Sequence, residues 1–287
     1  MNRRDPRYVS SANIPPVVRR AQAGKLKEVP AYEAISQVYD DVWVPPSLEN
    51  LLPSLVEKLG RNDLHILDLA CGTGMLSRAL APSAYRVHGV DRSKPMLEIA
   101  RQRCADHANI TFELGDMRSF HEPGPFHLVF CGSNSLNYLI EAGGLEACLR
   151  HVEHCMAPKS FLIFEVVNEL GMKHLNGRVQ AITDSGPFLS FQYDSEKRRE
   201  SSLAIIGDEV ERHQRVPIDP EDVEAVAERV GLRIWNRWRF AQLGPWMVSV
   251  GMGTVLGPML IGLLRRLGMT FDGLSHDYYV LSKGSVD

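Results

Sequence analysis

The sequence predicts an α/β fold in which a doubly wound, mostly parallel sheet carries helices on both faces. Between residues 61 and 168, short apolar segments typical of strands alternate with helical segments. The first strand runs into a glycine-rich turn, and several later strands end in polar residues. An open α/β sheet gathers such strand ends at one crevice, which is where it binds ligands. With 287 residues, 44% of them hydrophobic, the chain can bury a sizeable core.

Composition argues against several other classes of protein. A net charge of -3 gives no general attraction to phosphate backbones, so nucleic acid is not expected as a partner. The five cysteines are odd in number and form no CxxC pair, so neither a disulfide framework nor a metal site is indicated. No apolar segment follows Arg3 and Arg4 as a secretory signal would require. We therefore expect a cytoplasmic globular protein without a bound metal.

The N-terminal part is predicted to contain a flexible arm and two helices. Residues 1–30 are proline-containing and basic, and termini of this kind are usually loose. Residues 31–60 are predicted as two helices, the second over Leu48 to Leu59, because apolar and aromatic side chains recur at helical spacing. Tyr32 and Tyr39 share one helical face, where packing in the core is one interpretation.

The first strand and its turn, His65 to Gly74, form the element around which the chain is organised. The apolar run Ile66 to Leu69 suits an inner parallel strand that is covered on both sides. Gly72 and Gly74 let the backbone bend sharply and approach a ligand closely. No Gly-Lys-Ser/Thr follows, which excludes a Walker phosphate loop. The loop by itself fits any nucleotide-binding βαβ unit, including that of a dinucleotide enzyme.

Three later strand ends point to the same crevice. Asp91 ends the second strand about twenty residues after the loop, where a carboxylate can accept both ribose hydroxyl protons of a nucleoside. After the third strand, Asp116 and Met117 are placed to contact an adenine amino group and ring. The fourth strand, 126–130, delivers residues 131–138 to the crevice. Each acid alone also fits a helix cap or a solvated turn, but together they favour one nucleoside site.

These motifs resemble those of class I S-adenosylmethionine-dependent methyltransferases. Residues 67–74, Leu-Asp-Leu-Ala-Cys-Gly-Thr-Gly, resemble the first motif of that family, and residues 91–97, Asp-Arg-Ser-Lys-Pro-Met-Leu, resemble the second. The resemblance implies a seven-stranded Rossmann-like methyltransferase sheet with S-adenosylmethionine as its cofactor. The stretch from Tyr32 to Asp40 also resembles the N-terminal lid helix of small-molecule methyltransferases, which makes residues 31–60 lid helices and implies that a tyrosine closes over the cofactor. The residues that it implies for the cofactor site are Tyr39, Asp68, Ala70, Cys71, Gly72, Gly74, Asp91, Arg92, Met96, Gly115, Asp116, Met117 and Cys131.

An antiparallel β insertion is predicted after the fifth strand, at residues 169–216, and it resembles the sheet that roofs the substrate pocket in small-molecule methyltransferases. On its last strand Glu211, His213 and Arg215 share one face because side chains alternate. Pointing into a pocket, His213 would orient an acceptor or take its proton; pointing outward, the three would form a solvated face of paired charges. The candidate catalytic residues are His213, Tyr32, Asn134 and Tyr138, and Tyr39 and Asn137 are further pocket candidates.

The methyltransferase core is predicted to comprise residues 61–168 and 217–287. A helix that begins after Asp219 and ends at Gly231 precedes the sixth strand. Before the last strand, the chain departs from the family pattern through an apolar, helical insertion at 244–268, which contains no charge between Trp246 and Leu264. Its length permits a membrane span, but both of its flanks must return to one sheet. A pocket wall, a peripheral membrane contact and a homodimer interface remain the alternatives.

The resemblance implies transfer of a methyl group to an N, O or C nucleophile of a small acceptor, lipophilic or of secondary metabolism. The sulfonium already activates the methyl group, so the protein mainly positions the acceptor and excludes water. Three alternatives stay open. They are a methyltransferase acting on RNA or protein, an NAD-type oxidoreductase, and a protein of the same fold that binds S-adenosylmethionine without turnover.

Overall fold

The computed structural model describes residues 8–9, 13–42, 56, 63–122, 124–183, 185–241 and 274–284. The predicted helix over Leu48 to Leu59 therefore lies outside the described residues, except for Val56, which is buried. The apolar insertion at 244–268, with its alternatives of pocket wall, membrane contact or dimer interface, also lies outside them. Within the described ranges, no helix combines the length and the apolar character that a membrane crossing requires.

The helices and strands follow the predicted alternation through the core. The helices are α1 (Pro16–Gln22), α2 (Tyr39–Val42), α3 (Met75–Leu80), α4 (Lys94–Arg103), α5 (Gly144–Cys155), α6 (Glu169–Leu175) and α7 (Pro220–Val230). The strands are β1 (Tyr8–Val9), β2 (Lys27–Val29), β3 (His65–Leu69), β4 (Arg86–Asp91), β5 (Ile110–Leu114), β6 (Phe126–Cys131), β7 (Met156–Val167), β8 (Val179–Ala181), β9 (Phe188–Asp194), β10 (Arg199–Ile206), β11 (Glu209–Arg215), β12 (Leu232–Ala241) and β13 (Leu274–Lys283).

Seven strands form the central sheet, in the order β12-β13-β7-β6-β3-β4-β5. The five strands from β3 to β7 run parallel, whereas β13 is antiparallel to both of its neighbours. Hydrophobic clusters cover both faces of the sheet, which is why β3 carries Ile66, Leu67 and Leu69 with almost no exposed surface. The predicted doubly wound, seven-stranded sheet is confirmed. Its carboxyl edge contains Asp91 and the turn at residues 70–74, which we call the glycine loop.

A second, six-stranded sheet has the order β1-β8-β9-β10-β11-β2, and we call it the roof sheet. Strands β9, β10 and β11 form an antiparallel meander within the predicted insertion at 169–216. One face packs against α1 through a cluster that includes Val18 and Leu203. The other face packs against the lid segment, residues 31–42, and against Met96 of α4. The roof sheet therefore stands between α1 and the crevice.

The N-terminal segment differs from the prediction of a flexible arm at residues 1–30. Within the described residues 13–30, α1 covers the outer face of the roof sheet and β2 pairs with the edge of β11. This pairing satisfies edge hydrogen bonds of β11 that would otherwise need water. The lid segment also differs from a regular helix. It consists of a turn, a 3₁₀ helix at Ile35–Val38 and α2, because Tyr32 has a left-handed backbone with φ of 66°.

Asn137 joins the central sheet to the chain that leaves the roof sheet. It is fully buried, and its side-chain amide donates hydrogen bonds to the carbonyls of Val167 and Val216, both at 2.8 Å. Its carbonyl oxygen Oδ1 accepts a hydrogen bond from the Val167 amide at 2.9 Å. Asn137 thus holds together the turn after β6, the end of β7 and the end of β11. It was predicted as a pocket residue, but it lies outside the lining of the two cavities described below.

Replacing Asn137 by alanine is expected to lower the free energy of unfolding by about 2–4 kcal/mol, because buried backbone groups lose their partners. Urea unfolding followed by circular dichroism measures this change. Asn13, which is exposed ahead of α1, provides the matched control, and Asn13→Ala should change stability by less than about 0.5 kcal/mol. Equal stabilities of the two variants would contradict this role of Asn137.

Candidate active site

A cavity of about 300 Å³ lies at the carboxyl ends of β3, β4 and β5. The glycine loop and these strand ends form one wall, and the lid segment, the turn after β6 and strand β11 form the other. Many residues predicted for the cofactor line this cavity: Tyr39, Ala70, Gly72, Asp91, Arg92, Met96, Gly115, Asp116 and Met117. The crevice predicted from the strand ends is therefore present and enclosed by the predicted lid and roof.

The glycine loop turns through three residues with left-handed backbones, Ala70, Gly72 and Gly74. At Gly74 a Cβ would lie 2.9 Å from the Cβ of Ala100, so the loop depends on glycine to pack against α4. At Gly72 no heavy atom lies within 4 Å of the Cβ position, because the residue faces the cavity. The loop thus presents backbone to the cavity on one side and packs tightly against a helix on the other.

Asp91 is fixed at the end of β4 by two backbone amides. Its Oδ1 accepts a hydrogen bond from the Ser93 amide at 2.8 Å, and its Oδ2 accepts one from the Gly72 amide at 2.9 Å. Burial raises the pKa of Asp91, and these backbone hydrogen bonds partly offset the rise. Since each carboxylate oxygen has two lone pairs, Asp91 keeps acceptor capacity towards the cavity. The loop and the acid predicted for the ribose therefore form one hydrogen-bonded unit.

Asp116 has a partner that the sequence analysis missed. Arg118 donates to its Oδ1 from Nε at 2.9 Å and to its Oδ2 from Nη2 at 2.7 Å, and it also pairs with Glu141 at 2.8 Å. The Arg118 guanidinium lowers the pKa of Asp116, so this carboxyl is ionised. Arg118 and Glu141 both line the cavity. A basic residue two positions after an acidic strand end was the available signal for this pair.

Four predicted cofactor residues are placed outside the cavity lining: Asp68, Cys71, Gly74 and Cys131. Asp68 is buried behind the loop, where its Oδ2 accepts a hydrogen bond from the Ser77 hydroxyl at 2.5 Å. Burial raises its pKa to about 6, although the Ser77 bond acts in the opposite direction. Burial likewise raises the pKa of the Cys71 and Cys131 thiols. These side chains support the loop and strands from inside the protein.

An aromatic cluster, Tyr32, Tyr39, Tyr138 and His213, forms the cavity wall beneath the roof sheet. The Tyr32 ring centre lies 5.0 Å from that of His213, 5.9 Å from that of Tyr138 and 6.2 Å from that of Tyr39. The same four residues also line a smaller cavity of about 40 Å³ against the roof sheet. Three of the four predicted catalytic residues, Tyr32, Tyr138 and His213, are therefore brought together.

Asn134, the fourth predicted catalytic residue, lines neither of these two cavities. It is buried and has a left-handed backbone, with φ of 57°. Burial raises the pKa of the nearby Glu165 carboxyl, and the backbone amides of Ser133 and Asn134 act in the opposite direction. The turn presents Ser135 and Tyr138 to the larger cavity instead.

The face of β11 that carries Glu211, His213 and Arg215 is buried, so the alternative of a solvated face is wrong. His213 Nε2 lies 3.1 Å from Glu211 Oε2, and His213 Nδ1 lies 3.2 Å from the Tyr138 hydroxyl. Arg215 donates from Nε to Glu200 Oε1 at 2.9 Å. Glu200 is fully buried on β10, directly opposite Arg215 in the strand pairing, and the sequence analysis missed it.

The glycine loop, the acid at the end of the second core strand and the strand order define a class I methyltransferase fold. Residues 66–159 match the family model described as a methyltransferase domain, roughly a third of the chain. The resemblance to class I S-adenosylmethionine-dependent methyltransferases is thereby confirmed, and S-adenosylmethionine is the cofactor of that class. Within the described residues, no group of three or more histidine, cysteine or acidic side chains is placed to hold a metal ion.

Individual relatives agree with this assignment. A putative methyltransferase of Bacillus subtilis, YqeM, is 34% identical over 140 residues, covering 47% of this chain and 55% of its own. A dTDP-3-amino-3,6-dideoxy-alpha-D-glucopyranose N,N-dimethyltransferase of Streptomyces fradiae is 35% identical over 114 residues, covering 40% of this chain and 44% of its own. The chain thus spans about half the length of the curated relatives it matches.

Among solved structures, the CcbJ methyltransferase of Streptomyces caelestis superposes with a TM-score of 0.67 at 18% identity. The match covers 89% of this chain and 99% of that one. Identity at this level shows a common fold, which extends well beyond the matched methyltransferase domain.

The pKa of Asp68 predicts a pH-dependent contribution to stability. In the unfolded chain this carboxyl titrates near its ordinary value of about 3.9, whereas burial raises the folded value to about 6. Between these two values the unfolded chain releases the proton first, so the contribution of Asp68 to stability falls as pH rises from about 4 to 6. The fall should be about 3 kcal/mol and complete above pH of about 7.

Denaturant unfolding at several pH values tests this by comparing the wild type with Asp68→Asn, which lacks the titrating group. The difference between the two should change with pH only in that window. Asp106→Asn is the control, because the Arg78 guanidinium lowers the pKa of Asp106, so its contribution to stability does not fall as pH rises through this window. A wild-type minus Asp68→Asn difference that is constant from pH 4 to 7 would refute the assignment.

Proposed function

We propose that the protein transfers the methyl group of S-adenosylmethionine to an N, O or C nucleophile of a small-molecule acceptor. The observation that carries this proposal is one cavity with two chemically distinct ends. One end has the glycine loop, Asp91 and the strand end at Gly115 to Met117; the other has the aromatic cluster under the roof sheet. The first end suits a nucleoside, and the second suits the molecule that receives the methyl group.

At the donor end, each part of the cofactor has a matching group. The backbone at Ala70 and Gly72 holds the methionine moiety, since the loop presents main chain rather than side chains to the cavity. Asp91 accepts the ribose hydroxyl protons with the lone pairs that its two backbone donors leave free. Met117 covers the adenine ring at the end of β5, and Asp116 faces its amino group. Tyr39 covers the sulfonium end from the lid segment.

At the acceptor end, the lid segment and roof sheet exclude water and hold the nucleophile in line with the methyl group. The aromatic cluster provides flat apolar surface together with three hydroxyls and an imidazole. Such a wall suits an acceptor with an apolar body and a hydroxyl or amino group. The relative from Streptomyces fradiae is named for methylation of an amino sugar carried by dTDP, which supports a small molecule as the acceptor class.

Substitution of Asp91 by alanine is expected to weaken binding of S-adenosylhomocysteine at least tenfold, because charge-assisted hydrogen bonds to the ribose are lost. Isothermal titration calorimetry measures this change, and NADH is titrated in parallel to distinguish an oxidoreductase. Asp208→Ala, a change at an exposed residue in the turn between β10 and β11, is the matched control and should bind normally. Unchanged affinity in Asp91→Ala, or tight NADH binding alone, would overturn the cofactor assignment.

A screen with radiolabelled S-adenosylmethionine tests the acceptor class. The panel contains simple phenols, primary and secondary amines, amino sugars and quinols, beside bulk transfer RNA and casein. Label is expected in at least one small-molecule product and in neither macromolecule. Label that appears only in the RNA or the protein would contradict the small-molecule proposal, whereas binding of cofactor without any transfer would favour a non-catalytic protein of this fold.

A further inference from the structure

Glu211 fixes which nitrogen of His213 carries the proton. An ionised carboxylate only accepts hydrogen bonds, and hydrogen bonds from His213 and from backbone amides lower the pKa of Glu211 despite its burial. His213 Nε2, 3.1 Å from Glu211 Oε2, is therefore the protonated nitrogen of the neutral ring. Nδ1 is left with a lone pair, which accepts a hydrogen bond from the Tyr138 hydroxyl at 3.2 Å.

The hydrogen bonds of His213 decide which side chain is left to contact the methyl acceptor. Both nitrogens of His213 are occupied, one by Glu211 and the other by Tyr138. Tyr138 lines the cavity, and a hydroxyl oxygen that donates its proton to His213 still accepts hydrogen bonds itself. The Tyr32 ring centre lies 5.9 Å from that of Tyr138 on the lid side, and the Arg92 guanidinium lies 5.7 Å from the Tyr138 ring centre on the cofactor side. Tyr138 is thus placed between the donor end and His213.

We propose that Tyr138 receives the proton of the methyl acceptor and passes its own proton to His213, with Glu211 as the positioning residue behind both. This rests on the proposed function and goes beyond it by assigning the proton path and restricting the acceptor to one that carries a removable O–H or N–H proton.

The step balances in atoms and charge. A lone pair of the acceptor attacks the methyl carbon, and the electrons of the carbon–sulfur bond remain on sulfur, giving S-adenosylhomocysteine. The acceptor proton moves to Tyr138 Oη while the Tyr138 proton moves to His213 Nδ1. Tyr138 ends neutral, and the imidazolium lies beside the Glu211 carboxylate until it releases its proton to water. Burial raises the pKa of Tyr138, so a relay that never forms a free tyrosinate suits this site.

Glu211 also ties the relay to the lid segment. Its Oε2 accepts a hydrogen bond from the Tyr32 amide at 2.8 Å, and its Oε1 accepts one from the Ile35 amide at 2.7 Å. The same carboxylate therefore holds both the lid and the His213 proton. The lid therefore supplies two of the donors that hold the Glu211 carboxylate where it accepts the hydrogen bond from His213 Nε2.

Nitrogen-15 NMR of the full chain with labelled histidine, saturated with S-adenosylhomocysteine, tests the arrangement without a known acceptor. The expected spectrum has the His213 proton on Nε2 and an unprotonated Nδ1. The charged and titratable groups around His213 are Glu211 and Arg215 on β11, Glu200 on β10 paired to Arg215, Tyr32 on the lid and Tyr138 after β6. Among these, Glu211 is the acceptor of the Nε2 hydrogen bond, so Glu211→Gln should change the Nε2 signal of His213 and reduce the proton occupancy of that nitrogen.

Tyr138→Phe should keep the proton on Nε2 but shift the Nδ1 signal, because Nδ1 loses its donor. With the panel member that the wild type methylates, the same variant should lower kcat about 100-fold with little change in the KM for S-adenosylmethionine. Glu209→Gln, at the outer end of β11, and Tyr193→Phe, on β9 outside both cavities, are matched controls and should leave the His213 signals unchanged. Thermal unfolding confirms that each variant is folded.

The outcomes separate this inference from the proposed function. Failure of the wild type to bind S-adenosylhomocysteine would overturn the proposed function. Binding together with a proton on Nδ1 would overturn the relay alone, as would a His213 Nε2 signal that does not respond to Glu211→Gln. Full activity of Tyr138→Phe would remove Tyr138 from the proton path.

Discussion

The lid segment, the roof sheet and the turn after β6 form what we call the acceptor half of the molecule. Their arrangement depends on one buried carboxylate, that of Glu211. A charge enclosed by protein is stable only where donors surround it, and Glu211 has no exposed surface. Its donors come from different parts of the chain, namely the Tyr32 and Ile35 amides of the lid segment and His213 on the roof sheet. The hydrogen bonds to this one carboxylate therefore hold the lid segment against the roof sheet. Through His213, which contacts the Tyr138 hydroxyl, they also position the turn that carries Tyr138.

Near its C-terminal end, the lid segment is bonded to the donor half of the molecule, which consists of the glycine loop, the strand ends around Asp91 and helix α4. Asp40 accepts a hydrogen bond from the Thr73 hydroxyl at 2.7 Å and is also ion-paired with Arg103 of α4. Thr73 lies in the glycine loop, whose Gly72 amide is bonded to Asp91. Asp40 therefore connects the loop to the lid segment, and Glu211 connects the lid segment to His213. The two ends of the cavity are joined by side-chain bonds as well as by the chain.

The donor half could be predicted from sequence because its signals are local. The apolar run from Ile66 to Leu69, the glycines that follow it and an acid at the next strand end are each legible without knowledge of the fold. The acceptor half depends on pairings between distant segments. Tyr138 meets His213 across 75 positions of the chain, and Glu200 meets Arg215 only through the register of β10 and β11. Helix α1 buries only Val18 and Ala21, too few to reveal its packing on the roof from periodicity.

The division into a donor half and an acceptor half also follows the bounds of the family model that matches this chain. The methyltransferase domain model matches residues 66–159, which include the glycine loop, Asp91, Asp116 and Tyr138. The lid segment and the roof sheet, with Glu211 and His213, lie outside those residues. The proposed relay from Tyr138 to His213, positioned by Glu211, therefore begins in the matched domain and ends in the roof sheet. In the proposed function, binding of the donor depends on backbone geometry and a few acids within the matched domain, whereas proton removal also depends on His213 and Glu211, which lie outside it.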